Sequence, residues 1–133
     1  MTTPLSLAVR QARLLAVRDF LDMGELRFYT GLDAPATPET ATLETLLGSV
    51  ILDTVVGSIG ASGQTATLTL TVPRTGAVVA TGLIGWVRFV DTLGNGIMDR
   101  LVVELGTAGP VVVSDKRVYL GGELQLISCV ISE

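Results

Sequence analysis

The chain has 133 residues, 48% of them hydrophobic and 17% charged, and thirteen Asp plus Glu against nine Lys plus Arg give a net charge of -4. That length suits one domain burying roughly two-thirds of the surface its unfolded chain exposes, and the acidic balance excludes a protein that wraps nucleic-acid phosphate. There is no His and one Cys, Cys129, so ordinary metalloenzyme and Ser-His-Asp chemistries and an intrachain disulfide drop out; no cofactor, no metal and no enzymatic activity are expected.

The fold expected is all-β, an antiparallel two-sheet sandwich or jelly roll with one N-terminal amphipathic helix. Residues 1–24 carry the helix and belong to the same unit as a β-sandwich domain over 25–133. Thr3 is placed as N-cap, Pro4 as first helical residue, and Gly24 as the closing position. Leu5, Ala8, Val9, Ala12, Leu15, Ala16 and Phe20 recur at spacings of three and four and form one apolar stripe, laid on the domain's own core or, in a sharper reading, on a neighbouring subunit. Arg10, Arg13 and Arg18 fall on the opposite side and interrupt the apolar residues, so no secretory signal is expected.

After Gly24 the pattern turns to strands. Residues 25–30 (ELRFYT) alternate as a half-buried strand does, and the loop 31–42, with Pro35 and Pro38, cannot join a central sheet. A strand is expected over 46–56 and a flexible connection over 57–63 (GSIGASG). Residues 64–72 (QTATLTLTV) place Ala66, Leu68, Leu70 and Val72 on one face and threonines on the other. The uncharged run 54–73 reaches the length of a membrane span, but its glycines and period-two alternation mark strand and loop, so no membrane partner is expected. Strands at 82–91 and 97–105 flank Gly94-Asn95-Gly96, a tight hairpin signal. Shorter strands follow at 111–114 and 117–120, and the last runs over 123–132.

Motifs that could carry chemistry are weak. Gly57, Gly60 and Gly63 are spaced like a phosphate loop, but a Thr-rich strand follows where a helix is needed. The segment 91–99 has a few oxygen ligands around a turn but lacks the terminal Glu of a calcium loop. Asp53, Asp91, Asp99, Glu104 and Asp115 are scattered and read as strand edges and turns rather than an acid and base pair. Cys129 reads as a small buried hydrophobe. Trp86 and Phe89 point to opposite faces of one strand, so one is core and the other is free for a partner.

The apolar surplus, at a mean hydropathy of +0.58, predicts a protein partner, and copies of the chain itself as a dimer or trimer are the first candidates. Adjustable contacts would come from the N-terminal segment and the loops: Arg10, Arg13 and Arg18, because eight of nine basic residues are Arg and its planar fork suits carboxylates, together with Pro35 and Pro38.

Several segments point further. Leu21 to Gly24, Leu26 to Gly31, the Ala34-Pro35-Ala36-Thr37-Pro38 loop and Thr45 to Gly48 resemble the helix, strand, Pro-Ala-Thr loop and threonine-leucine-leucine strand of small tailed-bacteriophage virion proteins. Ala80 to Phe89, Leu120 to Glu123 and Ile127 to Ile131 are similar to their aromatic-arginine strand, closing turn and last strand, whereas Met98-Asp99-Arg100 stands where that pattern has small polar residues. The resemblance implies a head decoration or cement protein of jelly-roll type. Such a protein sits on the outer surface of the capsid, after assembly in the host cytoplasm, and bridges neighbouring subunits of the major capsid protein. A tail or fibre-associated virion protein is the alternative, and a soluble β-sandwich binding module or small enzyme a further one.

Overall fold

The computed structural model describes residues 5–32, 34–53 and 56–133. Helix α1 (Leu7–Leu21) starts at Ser6, whose hydroxyl accepts the Val9 N–H at 3.2 Å and satisfies a donor that has no partner inside the helix. The expected cap, Thr3, and Pro4 lie outside the described residues. The helix ends at Leu21, and Met23 rather than Gly24 takes the left-handed φ, 62°. Gly24 has a different reason to be glycine: a Cβ there would sit 2.1 Å from the carbonyl oxygen of Val90.

The face the helix buries is the reverse of the expected one. Leu14 and Leu21 are buried, with Leu7 and Val17 packed beside them, while Leu5, Val9, Leu15 and Phe20 are exposed, as are Ala8, Ala12 and Ala16. The helix is apolar on two sides, so periodicity alone does not choose between them.

Among the described residues eleven strands follow: β1 (Glu25–Tyr29), β2 (Leu46–Ile51), β3 (Gly57–Ser62), β4 (Thr65–Leu70), β5 (Arg74–Ala77), β6 (Gly82–Leu83), β7 (Trp86–Val90), β8 (Gly96–Glu104), β9 (Val111–Val113), β10 (Arg117–Val118) and β11 (Glu123–Ser132). The fold is all-β with a single N-terminal helix. Nine strands form one curled sheet in the order β2-β1-β7-β8-β9-β11-β4-β3, with β5 also on β11, and β6 pairs with β10 separately. The curl brings β2 back to the chain after β5: Gly48 bridges Val78, and Val79 N–H donates to Leu47 O at 2.8 Å. Glycine makes the seam possible, because a Cβ on Gly76 would sit 1.9 Å from Ser49 O.

The expectation of two purely antiparallel sheets is corrected in one place. β8 and β9 are parallel, with Val102 beside Val111. The short segment between them turns back through Gly106 at φ 98°, so the chain rejoins the sheet beside the strand it has just left. A second correction concerns 57–63. The expected flexible connection is strand β3, because Gly63 at φ 61° makes a two-residue turn that sets Ser62 opposite Thr65 and holds β3 in register along β4.

The core is one cluster that joins Leu14 and Leu21 of the helix to side chains from both ends of the sheet. α1 packs on β3 and β4 and covers Ala66, Leu68 and Leu70, which are fully buried as the alternation predicts; Val72 is half-buried against the same cluster. Replacing Leu68 or Leu70 by alanine is expected to cost about 2–5 kcal/mol in chemical denaturation, and a loss below about 0.5 kcal/mol, the size of an ordinary surface change, would contradict this facing. No described helix is long and apolar enough to cross a membrane.

Candidate functional site

The outer face of β1, β7 and β8 lies under the 31–42 loop and its flanks. Register sets Arg27, Arg88 and Asp99 in one row and Tyr29, Trp86 and Leu101 in the next. Arg88 is buried and grips Asp99 with two bonds, Nε to Oδ1 at 2.9 Å and Nη2 to Oδ2 at 3.1 Å. Its Nη1 donates to Thr40 O in the loop at 2.6 Å. The hydrogen bond to Asp99 holds the Arg88 pKa above its ordinary value, so this cation is permanent. Trp86 lies beneath it, 5.3 Å from guanidinium carbon to ring centre, stacks on Tyr29 at 4.7 Å and donates Nε1–H to Thr30 O at 3.0 Å.

All five residues of β7 are therefore buried. Phe89 and Val87 point into the main core, while Trp86 and Arg88 are covered by the chain's own loop. Trp86 does not meet a partner, contrary to the expectation that one of Trp86 and Phe89 is free. A cleft of about 400 Å³ remains between Arg27, Tyr29, Pro38, Glu39, Arg88 and Asn95. Both its cations already hold carboxylates, Arg27 that of Glu25 and Arg88 that of Asp99.

The structure spreads the expected contact residues over two places. Arg10 and Arg13 converge on the end of β11, Arg10 Nη1 reaching Glu133 O at 3.3 Å and Arg13 Nη2 reaching Glu133 Oε1 at 2.7 Å; they tie the helix to the last strand. Arg18 faces Asp19 at 3.7 Å. Pro35 and Pro38 are half-buried, and Pro38 is pinned: its carbonyl oxygen would meet a Cβ on Gly96 at 2.0 Å. Gly96 thus serves loop packing, while the β7–β8 turn takes its positive φ, 84°, at Gly94.

The scattered carboxylates each hold local structure. Asp91 Oδ1 accepts the N–H groups of Asn95 and Leu93, both at 2.9 Å; the Asn95 bond first, and then the Leu93 bond, hold its carboxyl below the ordinary range. Asp53 pairs with Arg74 at 3.2 Å, Glu104 accepts Lys116 N–H at 3.3 Å, and Asp115 accepts Arg117 N–H at 2.9 Å. Among the described residues no group of His, Cys, Asp and Glu could hold a metal ion.

Cys129 is buried, and burial pushes its thiol up from 9.0 to about 12. A folded pKa above the unfolded one means the native state keeps a proton the unfolded chain loses, so this contribution is intact below about pH 9 and falls away as pH rises toward 12. Thiol reagents at pH 8 are expected to leave the native protein unlabelled and to label it once unfolded; rapid native labelling would contradict this burial.

What the surface offers is apolar. Leu43 is 105% exposed, Leu32 86% and Leu93 83%, and Leu120, Leu105 and Tyr119 also stand out from the domain. Leu32 stands at the start of the loop and Leu43 just past its end, and Trp86 and Arg88 bond the backbone beside them at Thr30 and Thr40. Sequence reasoning passed over these residues because it sought charge and proline in loops; the available signal is a leucine set among turn formers, as at Leu32, Leu93 and Leu120. Comparisons with protein-family models, curated proteins and solved structures find no match for this chain.

Proposed function

We propose that this chain is a structural virion protein that decorates a bacteriophage capsid on its outer surface and stabilises it by bridging neighbouring subunits of the major capsid protein. The observation that carries the reading is the pair of strongly exposed leucines, Leu32 and Leu43, at a loop whose own base is buried and hydrogen-bonded. Large side chains of this kind, held in water at the two ends of one loop, are suited to burial against a partner. Asp53, Asp91, Asp99, Glu104 and Asp115 hold turns and ion pairs within the domain, and the work read for the exposed leucines is contact. The resemblance of the strand and loop segments to small phage virion proteins supplies the partner.

Burying one leucine from water yields about 1.5–3 kcal/mol. The double variant Leu32→Asp, Leu43→Asp is therefore expected to weaken capsid attachment by on the order of a hundredfold or more, with stability unchanged within about 0.5 kcal/mol because both sites are solvent-exposed. Capsids assembled with the unaltered chain should outlast bare capsids on heating, and capsids offered the double variant should behave like bare ones. Equal resistance in all three preparations would overturn the proposal.

A further inference from the structure

Strand β3 ends the strand order of the curled sheet, and among the described residues β4 is the one strand it pairs with. The direction of its backbone groups follows from its neighbours. Ala66 and Glu133 exchange both backbone bonds at 2.9 Å, and Thr71 N–H donates to Val56 O at 2.9 Å. Ala66 therefore points at β11, while the odd-numbered threonines of β4 point at β3. Register sets Thr69 opposite Ser58, Thr67 opposite Gly60 and Thr65 opposite Ser62, so these β3 residues spend their N–H and C=O groups on β4. By the alternation of an antiparallel ladder, the N–H and C=O groups of Ile59 and Ala61 point outward, where among the described residues no strand pairs with β3 and no turn or loop bond reaches them.

Edge strands in soluble proteins are normally guarded by charge, proline or a bulge. This one has none of these: no charged residue occurs between Asp53 and Arg74, and the only proline in that interval is Pro73; α1 touches β3 through Gln11, which bonds Gly60 O and not the groups of Ile59 or Ala61. We infer that β3 is a self-association edge, on which β3 of a second copy pairs antiparallel about a two-fold axis at Gly60. An outward row of backbone donors and acceptors fits an extended strand and nothing else of comparable shape, and a two-fold interface requires the patch to complement itself. β3 does so. With the axis at Gly60, Ile59 faces Ala61 of the second copy and exchanges both backbone bonds with it, and the reciprocal pair does the same.

Ser58 then faces Ser62 across the seam, and no like charges meet. Gly60 faces its own copy at a close, non-hydrogen-bonded position, where it has room: a Cβ there would meet only the Thr67 hydroxyl, at 3.3 Å. The helix adds apolar area beside the seam. Gln11 Nε2 donates to Gly60 O at 3.0 Å, which fixes the side of α1 nearest β3. Ala8 and Leu15, one turn to either side of Gln11, are exposed there. The inference stands independently of the capsid reading, since neither Leu32 nor Leu43 takes part in the seam.

The test is sedimentation of the full chain across micromolar concentrations, combined with hydrogen exchange at single amides. The expected result is a reversible dimer in which the Ile59 and Ala61 amides exchange slowly and speed up on dilution, while those of Ser58 and Gly60, bonded within the monomer, do not. Ala61→Pro removes only an outward N–H, so the β3–β4 ladder is kept, and it is expected to weaken association by roughly tenfold or more. A chain that stays monomeric, or a dimer in which Ile59 and Ala61 exchange fast, overturns the inference even if Ala61→Pro fails to fold.

Discussion

Asp99→Ala is expected to lower stability by about 3–5 kcal/mol, the range seen when one partner of a buried ion pair is removed, and a large part of the total for a domain of this size. The cause is what remains. Arg88 keeps its charge, is about as buried as Asp99, and loses two of its hydrogen bonds. Its remaining strong partner is Thr40 O, so the damage should pass to the loop, and protease sensitivity within 31–42 should rise together with the loss in denaturation midpoint. The double variant Arg88→Met, Asp99→Leu should cost less than Asp99→Ala alone, because it leaves no charge uncompensated. If Asp99→Ala costs under about 1 kcal/mol, the value of an exposed pair, the loop does not cover this pair.

The second large effect separates the two sides of the helix. Leu21→Ala empties a position that is 0% exposed and is expected to cost about 2–5 kcal/mol. Its chain neighbour Phe20 is 60% exposed, and Phe20→Ser should change stability by no more than about 0.5 kcal/mol. The reverse ranking would mean that the stripe through Leu5, Val9, Leu15 and Phe20 packs inward. The same geometry makes α1 part of the fold rather than a detachable clamp. Truncation through residue 22 would bare Leu68 and Leu70 on β4 and remove Leu14 and Leu21 from the core, so loss of cooperative unfolding is the expected outcome.

How much of this was legible in the sequence depends on how local each determinant is. β11 matches its expected span of 123–132, and the inward residues of β4 are those the alternation names, because period-two burial is written along a single strand. The helix was legible as a helix but not by its buried face: two apolar stripes compete, and the choice depends on which complements β3 and β4. β3 was hidden because three of the seven residues in 57–63 are glycine, a composition that suits a connector when read alone and a strand when a turn holds it against a threonine strand.

The parallel pairing of β8 and β9 leaves no local trace. Nor does the burial of Trp86 and Arg88, which depends on a loop almost fifty residues away along the chain reaching back over them. The exposed leucines were legible as an apolar surplus and not by position. Composition counts leucines, but only the fold distinguishes Leu47, fully buried in the core, from Leu43, fully in water four residues earlier.

The central claim, that this chain covers the outside of a capsid and bridges its subunits, is tested most directly by electron microscopy of intact particles compared with particles lacking the chain. The account predicts extra density of the size of a 13.9 kDa domain repeated over the outer shell and seated across the junctions between capsid subunits. Density confined to the tail, or identical shells in the two preparations, would contradict it.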